Sequence, residues 1–346
     1  MVRQLLAAAA LLSAALAAAQ SPPPATPQRI VAVGDLHGDF AAWTAIARAA
    51  GLVDVKGHWA GGKTILVQTG DVVDRGPDSR DILRQLQSLQ REAPANGGKV
   101  IALIGNHEAM NMTGDLRYVS AGEYSTFSDA RSAARRERFY TDHRVALETD
   151  ARRRDPSLSA AAIHDAFIKA TPLGMVEHAQ AWRPDGSIGK WVLANNAVAV
   201  VGGTIFVHGG ISPKYASLGA LEINRRVRAS LTVLDTADTA IINDDLGPLW
   251  YRGLIVPVDV PKGTPPPATP EQQLGLALKG LGATRMVVGH TPIVSGISIR
   301  LGGRLADIDT GISVAYGGKL SYLEIVGDKL LPHEVPRPPA ASGGSK

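Results

Sequence analysis

Five short apolar runs in this 346-residue chain each end within one residue of a glycine or histidine that opens a cluster of aspartate, histidine or asparagine. That recurrence limits the fold more than any other feature. Residues 30–33 lead into "GDLHGDF", 64–68 into "TGDVVDRGPDS" and 100–104 into "GNHE". Further on, 204–207 lead into "HGGIS" and 285–288 into "GHTPI". Such runs, apolar and bounded by glycine, read as buried strands. Between the first three, residues 40–50 and 79–91 carry helical periodicity, and strand–loop–helix repetition predicts parallel βαβ units. Ligands of α/β sheets gather outside the carboxyl ends of strands. One such edge would receive Asp35, His37, Asp71, Asn106, His208 and His290.

Residues 111–182 break this rhythm. Helices are predicted near 128–149 and 159–171, so about 113–183 forms a helical insert that could cap the site and limit substrate size. Strands are predicted again at 191–193, 197–201, 296–301 and 320–325, and short turns such as "VGGT" point to antiparallel pairing. The end of the chain, "LPHEVPRPPAASGGSK", offers little to a core, and 333–346 reads as a disordered tail.

At the other end, Arg3 precedes an apolar stretch closing on "AAAQ", the pattern of a cleavable export signal over 1–19. A Pro-rich linker follows over 20–29. The expected location is therefore periplasmic or secreted, with no membrane anchor after cleavage. The chain has no cysteine, which excludes disulfides and thiolate metal sites. The formal net charge is +4, of which Arg3 supplies one. Acidic and basic residues are otherwise near balance, no nucleic-acid-binding motif is present, and no nucleic-acid partner is expected.

Carboxylate, amide and imidazole donors without thiolate suit Mn, Fe or Zn. Six side chains exceed what one metal needs while leaving room for substrate. They suit two metals, at the ~3.5–4 Å spacing typical of paired sites that activate water for in-line displacement. A plainer reading competes at each position taken singly. Asp35, Asp71 and Asn106 could cap helices, His208 could be a core histidine and His290 a turn residue. The ordered set favours metals.

In order, the stretches GD-x-HG, GD-x-VDRG, GNHE, HGG and GH resemble the metallophosphoesterase (calcineurin-like phosphoesterase) superfamily, and within it the phosphoprotein phosphatase (PPP) branch. "GNHEAMNMTGDLRYVS" and "PLWYRG" further resemble bacterial Shewanella-like protein phosphatases. The resemblance runs from Ile30 to about Gly317 and is weakest in the insert. It implies an α/β fold, a β-sandwich of two mixed sheets flanked by helices, with a catalytic domain over 30–332. It also implies that Asp35 and His37 bind the first metal, that Asp71 bridges, and that Asn106, His208 and His290 hold the second. A hydroxide between two divalent or mixed-valence ions would attack phosphorus. His107 would be the general acid, oriented by Asp74. Arg75 would clamp phosphate, and Arg252 in "PLWYRG" is a candidate second clamp, with a surface ion pair as its alternative. One departure stands out. Pro292 occupies the place of the second histidine in the GH-x-H of many metallophosphoesterases, leaving the first metal fewer ligands, as in the PPP branch.

Glu108 is expected to brace its loop. His58, His143, His164, His178 and His333 match no motif and are expected at the surface or in loops. Arg117 and Tyr118 could meet substrate or simply pack, and "DIDTGIS" places Asp309 at another strand end without an assigned role. The activity so implied is hydrolysis of phosphoprotein, phosphopeptide or small phosphoester, phosphotyrosine included. The alternatives are a dinucleoside polyphosphate hydrolase and a non-catalytic phosphate- or metal-binding protein. Export counts against the first, and the His107–Asp74 pair counts against the second.

Overall fold

The structure, a computed structural model, describes residues 28–256 and 268–339. The leader and most of the linker lie outside them. Strand β1 (Arg29–Val33) is followed by helix α1 (Phe40–Ala49), β2 (Ile65–Gln68), α2 (Ser79–Glu92), β3 (Lys99–Ala102) and α3 (Asn106–Thr113). The insert contributes α4 (Ala121–Phe127), α5 (Ser132–Arg154), α6 (Ala160–Ala170) and α7 (Met175–Trp182), with α8 (Ser187–Ala194) after it. Then come β4 (Val198–Val201), β5 (Thr204–Val207), α9 (Gly219–Thr232), α10 (Pro270–Leu281), β6 (Arg285–Val288), β7 (Ser298–Arg300), β8 (Leu305–Asp307), β9 (Leu320–Val326) and β10 (Lys329–Val335).

These strands form two five-stranded mixed sheets, ordered β10-β9-β1-β2-β3 and β4-β5-β6-β8-β7. Within the first, β1, β2 and β3 run parallel; within the second, β5, β6 and β8 do. Alternation along each strand builds a double core. Ile30, Ala32, Val67, Phe206, Val287 and Ala306 belong to one buried cluster drawn from both sheets. Their neighbours Val31, Val33, Leu66, Ile205, Val207, Met286 and Val288 join the helices in the other. The result is a sandwich with helices outside, and both parallel triplets end beside the same loops.

Two expectations need correction. Residues 191–193 are helical, within α8. Ile188 and Val192 are buried at i,i+4 spacing, and Trp191 donates from Nε1 to Gln90 Oε1 at 2.7 Å. The apolar triplet was too short for strand and helix to be told apart. The tail expected to be disordered over 333–346 is ordered where it is described, because β10 pairs antiparallel with β9 from Lys329 to Val335; residues 340–346 lie outside the described residues. An edge strand is held by its backbone ladder and does not require an apolar face, and Pro332 is tolerated there. Beyond it, Arg337 bonds Asp39 and the Ile312 and Gly318 carbonyls. No helix among the described residues is long and apolar enough to cross a membrane.

Candidate active site

The loops that leave β1, β2, β3, β5 and β6 bring all six expected donors into one buried place. Asp71 is its hub. One of its oxygens, Oδ2, lies 3.3 Å from His208 Nε2, 3.7 Å from His37 Nε2 and 3.8 Å from His107 Nε2. The other, Oδ1, accepts the His107 backbone N–H at 3.0 Å. His208 Nε2 also faces Asn106 Oδ1 at 2.9 Å and His290 Nδ1 at 3.1 Å.

Backbone carbonyls settle the tautomers. His208 Nδ1 lies 3.0 Å from the Thr69 carbonyl and His37 Nδ1 3.0 Å from that of Val73. A carbonyl only accepts, so both Nδ1 atoms carry a proton, and in a neutral ring the Nε2 atom turns its lone pair toward the carboxylate. Lone pairs facing lone pairs inside a buried pocket repel unless a cation lies among them. The donors therefore fit metal ions. Two sets of side chains, His37–Asp71–His107 and Asp71–His208–His290, each bring their ligand atoms within 4.8 Å of one another and share Asp71; the first includes His107, and Asp35 belongs to neither.

Protonation preferences agree. Burial pushes His37 down to about 3, and burial with His208 nearby holds His290 well below its ordinary value, so both rings are neutral donors. Burial alone would raise the Asp71 carboxyl, but His208, His107 and His37, which become cations as they take up protons in acid, outweigh it and keep the group well below the usual range. Burial also opposes a charge on His107. There Asp71, Asp74 and Glu108 win, and its pKa is raised. Its Nδ1 meets Asp74 Oδ2 at 2.5 Å, and Asn111 Nδ2 donates to Asp74 Oδ1 at 2.9 Å.

Asp35 occupies the same pocket from the far side. Its carboxylate accepts the His290 N–H at 3.2 Å, and burial, Asp309 and Asp71 raise its pKa well above the usual value. Asp307 ends β8 and Asp309 follows it, which makes β8 a sixth strand bringing acid to this edge; burial with Asp71 nearby raises Asp309 to about 6, and burial with Asp309 nearby raises Asp307 to about 8. The pattern "DIDTGIS" was visible, but it has no histidine to mark it.

The capping alternative does not hold for the aspartates. Asp39 caps α1, accepting Ala42 N–H at 2.9 Å, and Asp78 stands at the N-cap of α2. Asn106 is already inside α3, behind Gly105. Glu108 braces the loop as expected, accepting the N–H groups of Asp71, Val72 and Gly105 at 2.8–2.9 Å. Gly105 is needed because a Cβ there would lie 2.2 Å from Asp71 Oδ1.

Arg75 is held between two rings, 4.5 Å from the Tyr118 centroid and 4.9 Å from that of Tyr316. Tyr118 also packs on His107 and Tyr316 on His37. Arg252 donates to the His290 carbonyl at 3.3 Å with no carboxylate paired to it among the described residues, which disfavours the ion-pair alternative. Tyr316 was missed, since a lone Tyr in a Gly-rich loop carries no signal. His178 is a correction. It is fully buried in α7, its Nε2 3.4 Å from Glu123 Oε1 and its ring against Tyr124 and Phe127.

Comparison with known proteins decides the family. The calcineurin-like phosphoesterase family matches residues 28–294. The chain belongs to that family. It is 38% identical over 206 residues to Shewanella-like protein phosphatase 2 of Arabidopsis thaliana, covering 58% of this chain and 51% of that one. It thus spans about half the length of this plant relative. An uncharacterized protein of Schizosaccharomyces pombe is 32% identical over 314 residues, covering 86% of this chain and 77% of the other. Among solved structures, a cold-active protein-tyrosine phosphatase of a psychrophilic Shewanella superposes with a TM-score of 0.63 at 23% identity, covering 90% of this phosphoesterase and 81% of that chain. A protein serine/threonine phosphatase of Saccharomyces cerevisiae gives 0.57 at 15%, covering 92% and 82%. At these identities the likeness shows the fold, the two-sheet sandwich with flanking helices.

Proposed function

We propose that this calcineurin-like phosphoesterase is an exported phosphatase using two divalent or mixed-valence ions, of Mn, Fe or Zn, to hydrolyse phosphomonoesters on protein or peptide, phosphotyrosine among them. One observation carries the reading: the Nε2 atoms of His37, His107 and His208 surround a single Asp71 oxygen. Asp35, His37 and Asp71 would hold one ion, and Asp71, Asn106, His208 and His290 the other. Bound ions would activate water and neutralise phosphoryl oxygens. The chain's own residues do the rest. His107 keeps a proton near neutral pH and delivers it from Nε2 to the leaving oxygen, while Nδ1 stays on Asp74. Arg75, fixed between two tyrosines, and Arg252 bind phosphate oxygens.

A cavity of about 510 Å³ lined by Tyr118, Trp250, Met110 and Arg117 adjoins the site. It suits a substrate larger than phosphate alone. The names of the plant and Shewanella relatives support a phosphorylated protein as substrate. Export is supported by the leader pattern.

Metal analysis of the mature protein with a substrate panel tests the reading. Two bound ions per chain and faster turnover of phosphotyrosine peptide than of a dinucleoside polyphosphate are expected. The reverse order would make it a nucleotide hydrolase, and metal binding without turnover would make it a binding protein. Cell fractionation should find the shortened chain outside the cytoplasm.

A further inference from the structure

The loop that carries Asp74 and Arg75 is strained. Both are non-glycine residues with left-handed backbone, at φ 71° and 66°. Such residues persist only where their surroundings fix them. One of the braces on Asp74 leads back to the helical insert. Its N–H donates to Ser79 Oγ at 3.2 Å, and the Ser79 hydroxyl donates in turn to Glu123 Oε2 at 2.7 Å. Glu123 is fully buried in α4, and its other oxygen faces His178 of α7. The order of donors leaves Ser79 a single hydroxyl orientation, lone pair to Asp74 and proton to Glu123.

The start of α4 is tied to the same loop twice more. Ser120 Oγ caps α4 through the Glu123 N–H at 3.1 Å and donates to the Gly76 carbonyl at 3.1 Å. Gly122 packs so tightly on Pro77 that a Cβ would come within 2.6 Å of the proline's own. The remaining wall of the Asp74 carboxylate is His107 and Asn111. A continuous buried chain, Glu123–Ser79–Asp74–His107, thus joins the insert to the histidine.

We propose that Glu123 is a positioning residue for proton delivery by His107, acting through the Ser79 hydroxyl on the backbone of Asp74. The proposal rests on the role given to His107 above. Glu123 touches neither substrate nor ion. It keeps the Asp74 carboxylate in line with Nδ1 of the ring, so the docking of the insert sets how well the acid works. Weakening this chain should hurt esters with poor leaving groups, which need the proton, more than esters with good ones.

The test compares kcat for phenyl phosphate and p-nitrophenyl phosphate in the metal-loaded mature protein. Glu123→Ala and Ser79→Ala should each lose roughly ten-fold more on phenyl phosphate than on p-nitrophenyl phosphate, with metal content and KM unchanged. Glu123→Gln should restore most of the loss, since its amide oxygen still accepts from Ser79. Should Glu123→Ala fail to fold, Ser79→Ala carries the comparison, because it leaves the insert's packing in place. Equal losses on both esters, loss of metal, or a Gln variant as poor as the Ala one would overturn the proposal. His107→Asn is run alongside. If it shows no bias against phenyl phosphate, the acid role itself fails; if it shows the bias while the Glu123 and Ser79 variants do not, only the positioning role falls.

Discussion

The loops at the strand ends and the outer helices of the insert obey different rules. Seven non-glycine residues have positive φ among the described residues, and five of them, His37, Asp71, Asp74, Arg75 and His290, lie in the site loops. These loops are buried and cross-braced by Glu108, Asn111 and backbone carbonyls. Helix α5, by contrast, buries only Ser132 and Tyr140 over 23 residues and carries exposed i,i+4 pairs such as Arg154–Asp150. Its backbone is one that local propensity favours, with contacts such as Arg135–Glu177 joining it to α7, while the loops hold shapes that local propensity opposes. Strain concentrates where side chains must converge, and it is sustained by surroundings the helix does not need.

The sharpest way to break this contrast is at the hub. Asp71→Asn should abolish both ion binding and turnover, the largest effect expected, read by metal analysis and phosphatase assay; retained ions would show that Asp71 is not shared. His107→Asn should keep its ions and lose about 10²–10⁴-fold on phenyl phosphate. Asp74→Asn should lose less and should move the basic limb of the kcat/KM profile to lower pH. The sign follows because Asp74 helps to raise the His107 pKa against burial, so without it the ring gives up its proton earlier. An unmoved limb would separate the pair. Glu108→Gln puts an amide donor against buried N–H groups and should cost about 1–3 kcal/mol in denaturant unfolding. On the other side of the comparison, Arg154→Ala in α5 should leave turnover and melting temperature unchanged within error, since exposed pairs contribute little. A marked loss there would mean that the outer helices bear on the site after all.

Much of the site was legible because its grammar is local. A glycine beside Asp, His or Asn at the end of an apolar run marks both the strand end and a candidate donor. Parallel topology then gathers those ends at one edge, so Asp35, His37, Asp71, Asn106, His208 and His290 could be collected before any coordinates. The strands that carry them, β1, β2, β3, β5 and β6, lie within a residue or two of where periodicity puts them. Signals failed where a neighbour distant in sequence does the work. The edge strand β10 exists because β9 offers a ladder, and His178 is buried because Glu123, Tyr124 and Phe127 close around it.

The sequence by itself therefore determined the strand–helix alternation, the donor set and, through the absence of cysteine, the chemistry open to a metal. Only the tertiary structure decided that three imidazoles meet at one Asp71 oxygen, that Tyr118 and Tyr316 grip Arg75, and that Glu123 reaches Asp74 through Ser79. Propensity and spacing act over a few residues along the chain. These contacts join residues dozens to hundreds of positions apart, and their energies exist only once the sheets have packed.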